Sequence, residues 1–137
     1  MKANKYTSLF LGITIFMFGF LKHFSPFKDW VHAQITQSGL PAFSMHLVVV
    51  GELLAGILYL LPLMFRNKFQ NSKKWLLISA NSIVIVMMVV ACYVHMQPEV
   101  SAEVLPLKIK APYIPIIYIV MAFINLFTLR KQANEIK

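Results

Sequence analysis

Residues 43–65 read FSMHLVVVGELLAGILYLLPLMF, and Glu52 is the only charged residue among these 23 positions. A helix needs about 20 residues to cross the hydrocarbon core of a bilayer, so the stretch has the length of a membrane span. Three more charge-free stretches flank it: Tyr6 to Leu21 with 16 residues, Trp75 to Gln97 with 23 and Ala111 to Leu129 with 19. The first reaches further if the Lys22 stem snorkels. Lipid offers the backbone no hydrogen-bond partner, so a spanning segment must satisfy its own amides as a helix. The reading is an all-α integral membrane protein. It is a single domain over 1–137, a four-transmembrane-helix bundle with spans near 6–24, 43–65, 75–97 and 112–130.

Composition agrees. Apolar residues make up 58% of the 137 and charged residues only 13%, where a soluble domain carries about 25% charged. The mean hydropathy is +0.68. Such a chain cannot cover a water-facing surface with polar groups. The net charge of +8 would suit nucleic acid in a soluble protein, but the cations sit at the ends of the apolar stretches. Lys2, Lys5, Arg66, Lys68, Lys73, Lys74, Arg130, Lys131 and Lys137 fall on one side, against Lys22, Lys28, Lys108 and Lys110 on the other. Nine against four predicts both termini and the middle loop in the cytoplasm, with no nucleic-acid partner. The first stretch has the basic start of a signal peptide but no small-residue cleavage site, so it reads as a retained anchor. Cys92 is the only cysteine, which excludes an intramolecular disulfide.

Residues 25–41, SPFKDWVHAQITQSGLP, predict a short amphipathic helix near 26–38 on the outer surface, between the first two spans. Ser25 suits the N-cap and Pro26 the first helical position. Gly39 suits the exit and Pro41 the stop. Phe27, Trp30, Val31 and Ile35 share one face. Two readings follow: a lid over an outward-facing pocket, or a connector whose aromatic residues anchor among the headgroups.

A carboxylate in hydrocarbon costs about 2.5–3.5 kcal/mol or more, so Glu52 must face the bundle. The second span runs inward, which puts Glu52 about 10–13 Å below its outer edge at 1.5 Å per residue. Helical side chains lean toward their own N-terminus. Glu52 therefore leans outward, while Lys22 and His95, at the outer ends of the first and third spans, lean inward. Small residues lie on the same faces: Gly19, Ala55, Gly56, Ala91 and Cys92, and small residues mark close helix contacts in membranes. The expectation is a hydrogen-bonded Lys22–Glu52–His95 cluster in the outer half of the bundle. It can relay protons, bind a polar headgroup, hold a quinone carbonyl, or simply lock helix register.

Secondary candidates are Cys92, His46 and Asn81. Cys92 and His95 are spaced i, i+3, and Glu52 or His46 can complete a ligand set, but a lone Cys-x-x-His is a weak signal and no metal is expected. His23, His32 and His46 read as interfacial histidines. Asn81, Ser82 and Asn125 read as interhelical hydrogen-bonding groups. Pro112 and Pro115 open the fourth span, and Pro62 bends or ends the second.

These residues bear a family resemblance. GFLKHFSPF, residues 19–27, resembles the "aGlsKLfdp" stretch of the DoxX-like family of small four-helix membrane proteins, with Lys22 on its lysine. VVVGELLAGILYLLP, residues 48–62, resembles its "ElvgGllLllG" segment, with Glu52 on the acidic position and Gly56 on the glycine. VMMVVACYVHM, residues 86–96, resembles its third-helix ending, with His95 on the histidine. The resemblance covers all four spans through short hydrophobic motifs. It implies a bacterial cytoplasmic-membrane protein akin to subunits of quinone-linked thiosulfate oxidation or of thiol-redox complexes. One departure matters: without a Cys-x-x-Cys this chain cannot itself cycle a vicinal dithiol.

The resemblance thus implies a non-catalytic accessory or anchor subunit, or a quinone- or lipid-binding component, of a membrane redox system. Its partners would be the bilayer, a membrane oxidoreductase and, as a further option, a second copy of the chain. Two alternatives stand beside it: a small transporter or proton pathway using Glu52, and a lipid-binding scaffold. An autonomous enzyme is disfavoured, since no nucleophile–base spacing is present. No flavin, haem or nucleotide fingerprint is present either, and a quinone is the cofactor the polar group can hold.

Overall fold

The described residues fold into helices joined by turns and short irregular segments. A computed structural model describes residues 2–65 and 67–135, with the side chains of 5–65 and 67–131. Its helices are α1 (Lys2–Leu21), α2 (Phe27–Gln37), α3 (Ser44–Met64), α4 (Lys73–Met96) and α5 (Tyr113–Glu135). Two 3-10 turns, Ala102–Val104 and Pro106–Lys108, lie between α4 and α5. No strand occurs among the described residues.

By length and composition α3, α4 and the Tyr113–Lys131 part of α5 can each cross a membrane. The described apolar stretch of α1, Lys5–Leu21, is shorter. The chain is therefore a multi-pass membrane protein. Apolar residues also point outward: Phe10, Val86, Phe123 and Phe127 are all exposed. A helix apolar on every side suits lipid as its solvent. Of the cations used for the topology, Arg66, Lys137 and the Lys2 side chain lie outside the described residues.

The helices run antiparallel to their neighbours. A Cβ added to Gly12 would meet Tyr59 and Leu60; one on Gly56 would meet Phe16; one on Gly19 would meet Glu52 and Leu53. As the α1 number rises the α3 number falls, so the two run in opposite directions along most of their lengths. The same glycines let the backbones approach. Leu11 and Ile15 of α1, Ala55 and Tyr59 of α3, Ala80 and Val84 of α4, and Ala122 of α5 are fully buried between the helices.

Two local expectations need correction. Ser25 is not the N-cap of α2. Pro26 holds that place, with no side-chain cap. The preceding turn supplies the partners instead, as the Lys28 and Trp30 N–H groups donate to the Phe24 and Pro26 carbonyls, both at 3.0 Å. Pro62 does not end its helix either. It is buried inside α3, which continues to Met64. The exit of α2 is as read from the sequence. Gly39 has φ +72°, and the Gly39 and Leu40 N–H groups donate to the Thr36 and Ile35 carbonyls, closing the helix as a Schellman motif.

Candidate functional site

The C-terminal ends of α1 and α4 and the N-terminal ends of α3 and α5 meet at one end of the bundle. There they enclose a cavity of about 530 Å³, within the ordinary range for small-molecule sites. Its walls are mainly apolar, with Phe18 from α1, Val48 from α3, Met88 from α4, and Ile114 and Tyr118 from α5.

The roof is made by α2 and the segment 103–108. Phe27, Trp30, Val31 and Ile35 all line the cavity, and Val31 and Ile35 are buried. The apolar face of α2 thus faces the cavity. The roof halves are tied together. The Gln34 amide donates to the Val104 carbonyl, and the Ser101 N–H donates to Gln37 Oε1 at 3.1 Å. The Tyr93 hydroxyl holds α2 to α4 by donating to the Ser38 carbonyl at 3.2 Å. The connection 97–112 between α4 and α5, a strap, packs back on α4, where Val94, Val100 and Leu105 form a small buried cluster against Leu40 and Val104. The Lys110 ammonium donates to the Gln97 and Val100 carbonyls, which fixes the strap to the end of α4.

Glu52 sits on the cavity wall with 4% of its surface exposed. Lys22 donates to Glu52 Oε1 and forms an ion pair with it. The pairing depends on Gly19, because a Cβ there would lie 2.9 Å from Glu52 Cβ and 3.0 Å from the Leu53 nitrogen. Glycine lets α1 come close enough for Lys22, three residues on, to reach across. The other carboxylate oxygen, Oε2, is buried without a hydrogen-bond partner among the described residues.

His95 is also buried and lines the same cavity. Its Nδ1 lies 3.2 Å from the Lys110 carbonyl oxygen. A carbonyl only accepts, so this bond assigns the proton to Nδ1. The structure therefore joins Lys22 and Glu52 directly and puts His95 in the same chamber, tethered to the strap. Cys92 is half-buried one turn before His95. His23, His32 and His46 are exposed. Among the described residues no three His, Cys, Asp or Glu side chains come together as a metal site.

Asn81 belongs to a second polar group, toward the opposite end of the bundle. The Tyr59 hydroxyl donates to Asn81 Oδ1 at 2.6 Å, and Asn81 Nδ2 donates to the Leu77 carbonyl at 2.6 Å. Asn125 Nδ2 donates to Ser8 Oγ at 3.0 Å and lies 3.4 Å from Asn81 Oδ1. All four side chains are buried, and they join α1, α3, α4 and α5. Asn81 and Asn125 are interhelical groups as expected. Ser82 is exposed and bonds back to the Ile78 carbonyl within its own helix. Ser8 and Tyr59 escape a sequence reading centred on charge. The available signal is spacing, since Tyr59 lies seven residues after Glu52 on the same face of α3.

No family model, no curated protein and no solved structure matches this chain.

Proposed function

We propose that the chain is a four-span membrane protein of the DoxX-like kind. Its roofed cavity binds an amphipathic membrane molecule, a lipid or an isoprenoid quinone. It serves as a non-catalytic component of a redox system in the bacterial cytoplasmic membrane, beside a partner oxidoreductase. The antiparallel packing of α1 on α3 supports the fourth span, because a 20-residue helix is about 30 Å long. The cation count supports cytoplasmic termini and an outward-facing cavity.

The observation that carries the binding reading is Glu52 Oε2. A buried acceptor without a partner costs about 1–3 kcal/mol, more when charged. Buried polar atoms find a hydrogen-bond partner with few exceptions, and a Glu52 that served packing alone would be expected to use both oxygens. Here one is left over beside a ligand-sized, mainly apolar chamber. Native mass spectrometry of protein gently purified from its own membranes tests this, with wild type beside Glu52→Gln. Wild type should carry a small molecule that the variant loses, and an oxidoreductase should co-purify. A bare wild-type protein with a merely less stable variant would make Glu52 a packing group.

A proton pathway is the second reading, because the Tyr59–Asn81–Asn125–Ser8 group lies two turns below Glu52 on the same face of α3. It requires proton flux into liposomes that Glu52→Gln abolishes; flux equal in both proteins removes Glu52 from that role.

A further inference from the structure

The charges around the cavity select a particular kind of head group, an inference that rests on the cavity being a binding site. Four formally charged residues line it: Lys22, Glu52, Glu103 and Lys108. They form two pairs, Lys22 with Glu52, and Lys108 with Glu103 at 2.7 Å. The wall thus carries no net charge from these groups, and neither an anion nor a cation gains from entering.

The free hydrogen-bonding capacity is more selective still. Glu52 Oε2 is an acceptor with nothing to accept. Lys22 Nζ beside it has three donors, of which Glu52 Oε1 takes one. Gln34, the neutral polar side chain of the roof, is part-buried and donates one amide N–H to the Val104 carbonyl. His95 uses Nδ1 on the Lys110 carbonyl. Among the described residues the buried side-chain atom left without a partner is Glu52 Oε2, so the unmet need is at the ion pair: a group that donates to Oε2 and can accept from Nζ.

Few chemical groups do both. A carboxylate or a phosphate dianion only accepts and is repelled by Glu52. An ammonium only donates and is repelled by Lys22. An ether or a quinone carbonyl only accepts and leaves Oε2 unmet. A neutral hydroxyl donates one hydrogen bond and accepts two. We propose that this cavity takes an uncharged amphipath bearing a hydroxyl head, which donates to Glu52 and accepts from Lys22, with its apolar tail in the chamber under α2. Two sources supply this chemistry: aliphatic lipid alcohols, and the phenolic head of a hydroquinone.

Competition in native mass spectrometry tests it. The wild-type protein in detergent micelles is given equal concentrations of 1-O-decylglycerol, decylhydroquinone, the fully O-methylated form of each, and decyl phosphate. At least one hydroxyl ligand should exceed its methylated twin in occupancy by about tenfold or more, the step expected for a hydrogen bond to a charged group. Decyl phosphate should trail both. Whichever hydroxyl ligand dominates identifies the source. The double variant Lys22→Met/Glu52→Leu, which removes the pair without leaving an orphaned charge, should bind a hydroxyl ligand and its twin alike. Equal occupancy of alcohols and ethers in wild type would overturn the head-group assignment and leave the cavity a lipid site. So would a lead for decyl phosphate. Failure of all five to bind would overturn the binding reading itself.

Discussion

The Lys22–Glu52 pair is held by one residue without a side chain. Gly19 lets α1 approach α3 at Glu52, and the pair then closes across the gap. Removing one member of a buried pair leaves the other charge stranded, which costs about 3–5 kcal/mol. Lys22→Met should therefore lower the unfolding free energy in detergent by about that amount, and adding Glu52→Leu should restore most of it. A Lys22→Met protein as stable as wild type would mean that the pair is not formed. Close packing gives a second comparison. A Cβ on Gly56 would lie 2.5 Å from Phe16 Cβ and 2.8 Å from its Cα, whereas one on Gly51 meets only the Met87 side chain. Backbone cannot step aside and a methionine can. Gly56→Ala should cost about 1–3 kcal/mol and Gly51→Ala clearly less, by the same unfolding assay. The sequence makes Glu52 conspicuous, and helix direction points Lys22 at it. The hydrogen bond of His95 is a different matter. Its partner is a backbone carbonyl at Lys110, in a segment with no periodicity to place it.

At the scale of elements, α2 shows what a periodic pattern does and does not reveal. Phe27, Trp30, Val31 and Ile35 mark an apolar face, but a hydrophobic stripe fits the headgroup region as well as a cavity roof. Only tertiary packing decides, and it turns the stripe inward. The strap that completes the roof is less legible still. Its order comes from Gln34, Gln37 and Lys110 bonding to distant backbone groups, and side-chain-to-backbone bonds across some 60–70 positions leave no local signature. These two glutamines are the ties between the roof halves. Replacing both with alanine should speed hydrogen exchange in 27–37 and 100–109 while the amides of α3 and α4 around Tyr59 and Asn81 keep their protection. Uniform acceleration throughout the bundle would show instead that the roof is part of one cooperative unit with the core.

For the molecule as a whole, α1 decides how many times the chain crosses the bilayer. Composition makes α3, α4 and α5 candidate spans, but charge-free length alone leaves α1 short. The decisive feature is its placement. Gly12, Phe16 and Gly19 meet Leu60, Gly56 and Glu52 in turn, so α1 runs antiparallel along α3 from Leu60 to Glu52. Ser8 and Lys22, toward opposite ends of α1, bond to Asn125 and Glu52. This placement beside the spanning helices supports the proposed fourth span, which requires an even number of spans and termini on one side. This can be read with single cysteines in a Cys92→Ser background, labelled by a maleimide that does not cross membranes. Lys5→Cys, Asn71→Cys and Ser101→Cys replace exposed residues, near the start of α1, before α4 and in the strap. With four spans, Ser101→Cys reacts on intact cells, and the other two react only once the membrane is opened. Labelling of Lys5→Cys together with Ser101→Cys on intact cells would mean that α1 does not cross. The positive-inside assignment would then lose Lys2 and Lys5 and rest on the loop before α4 and the C-terminal end of α5.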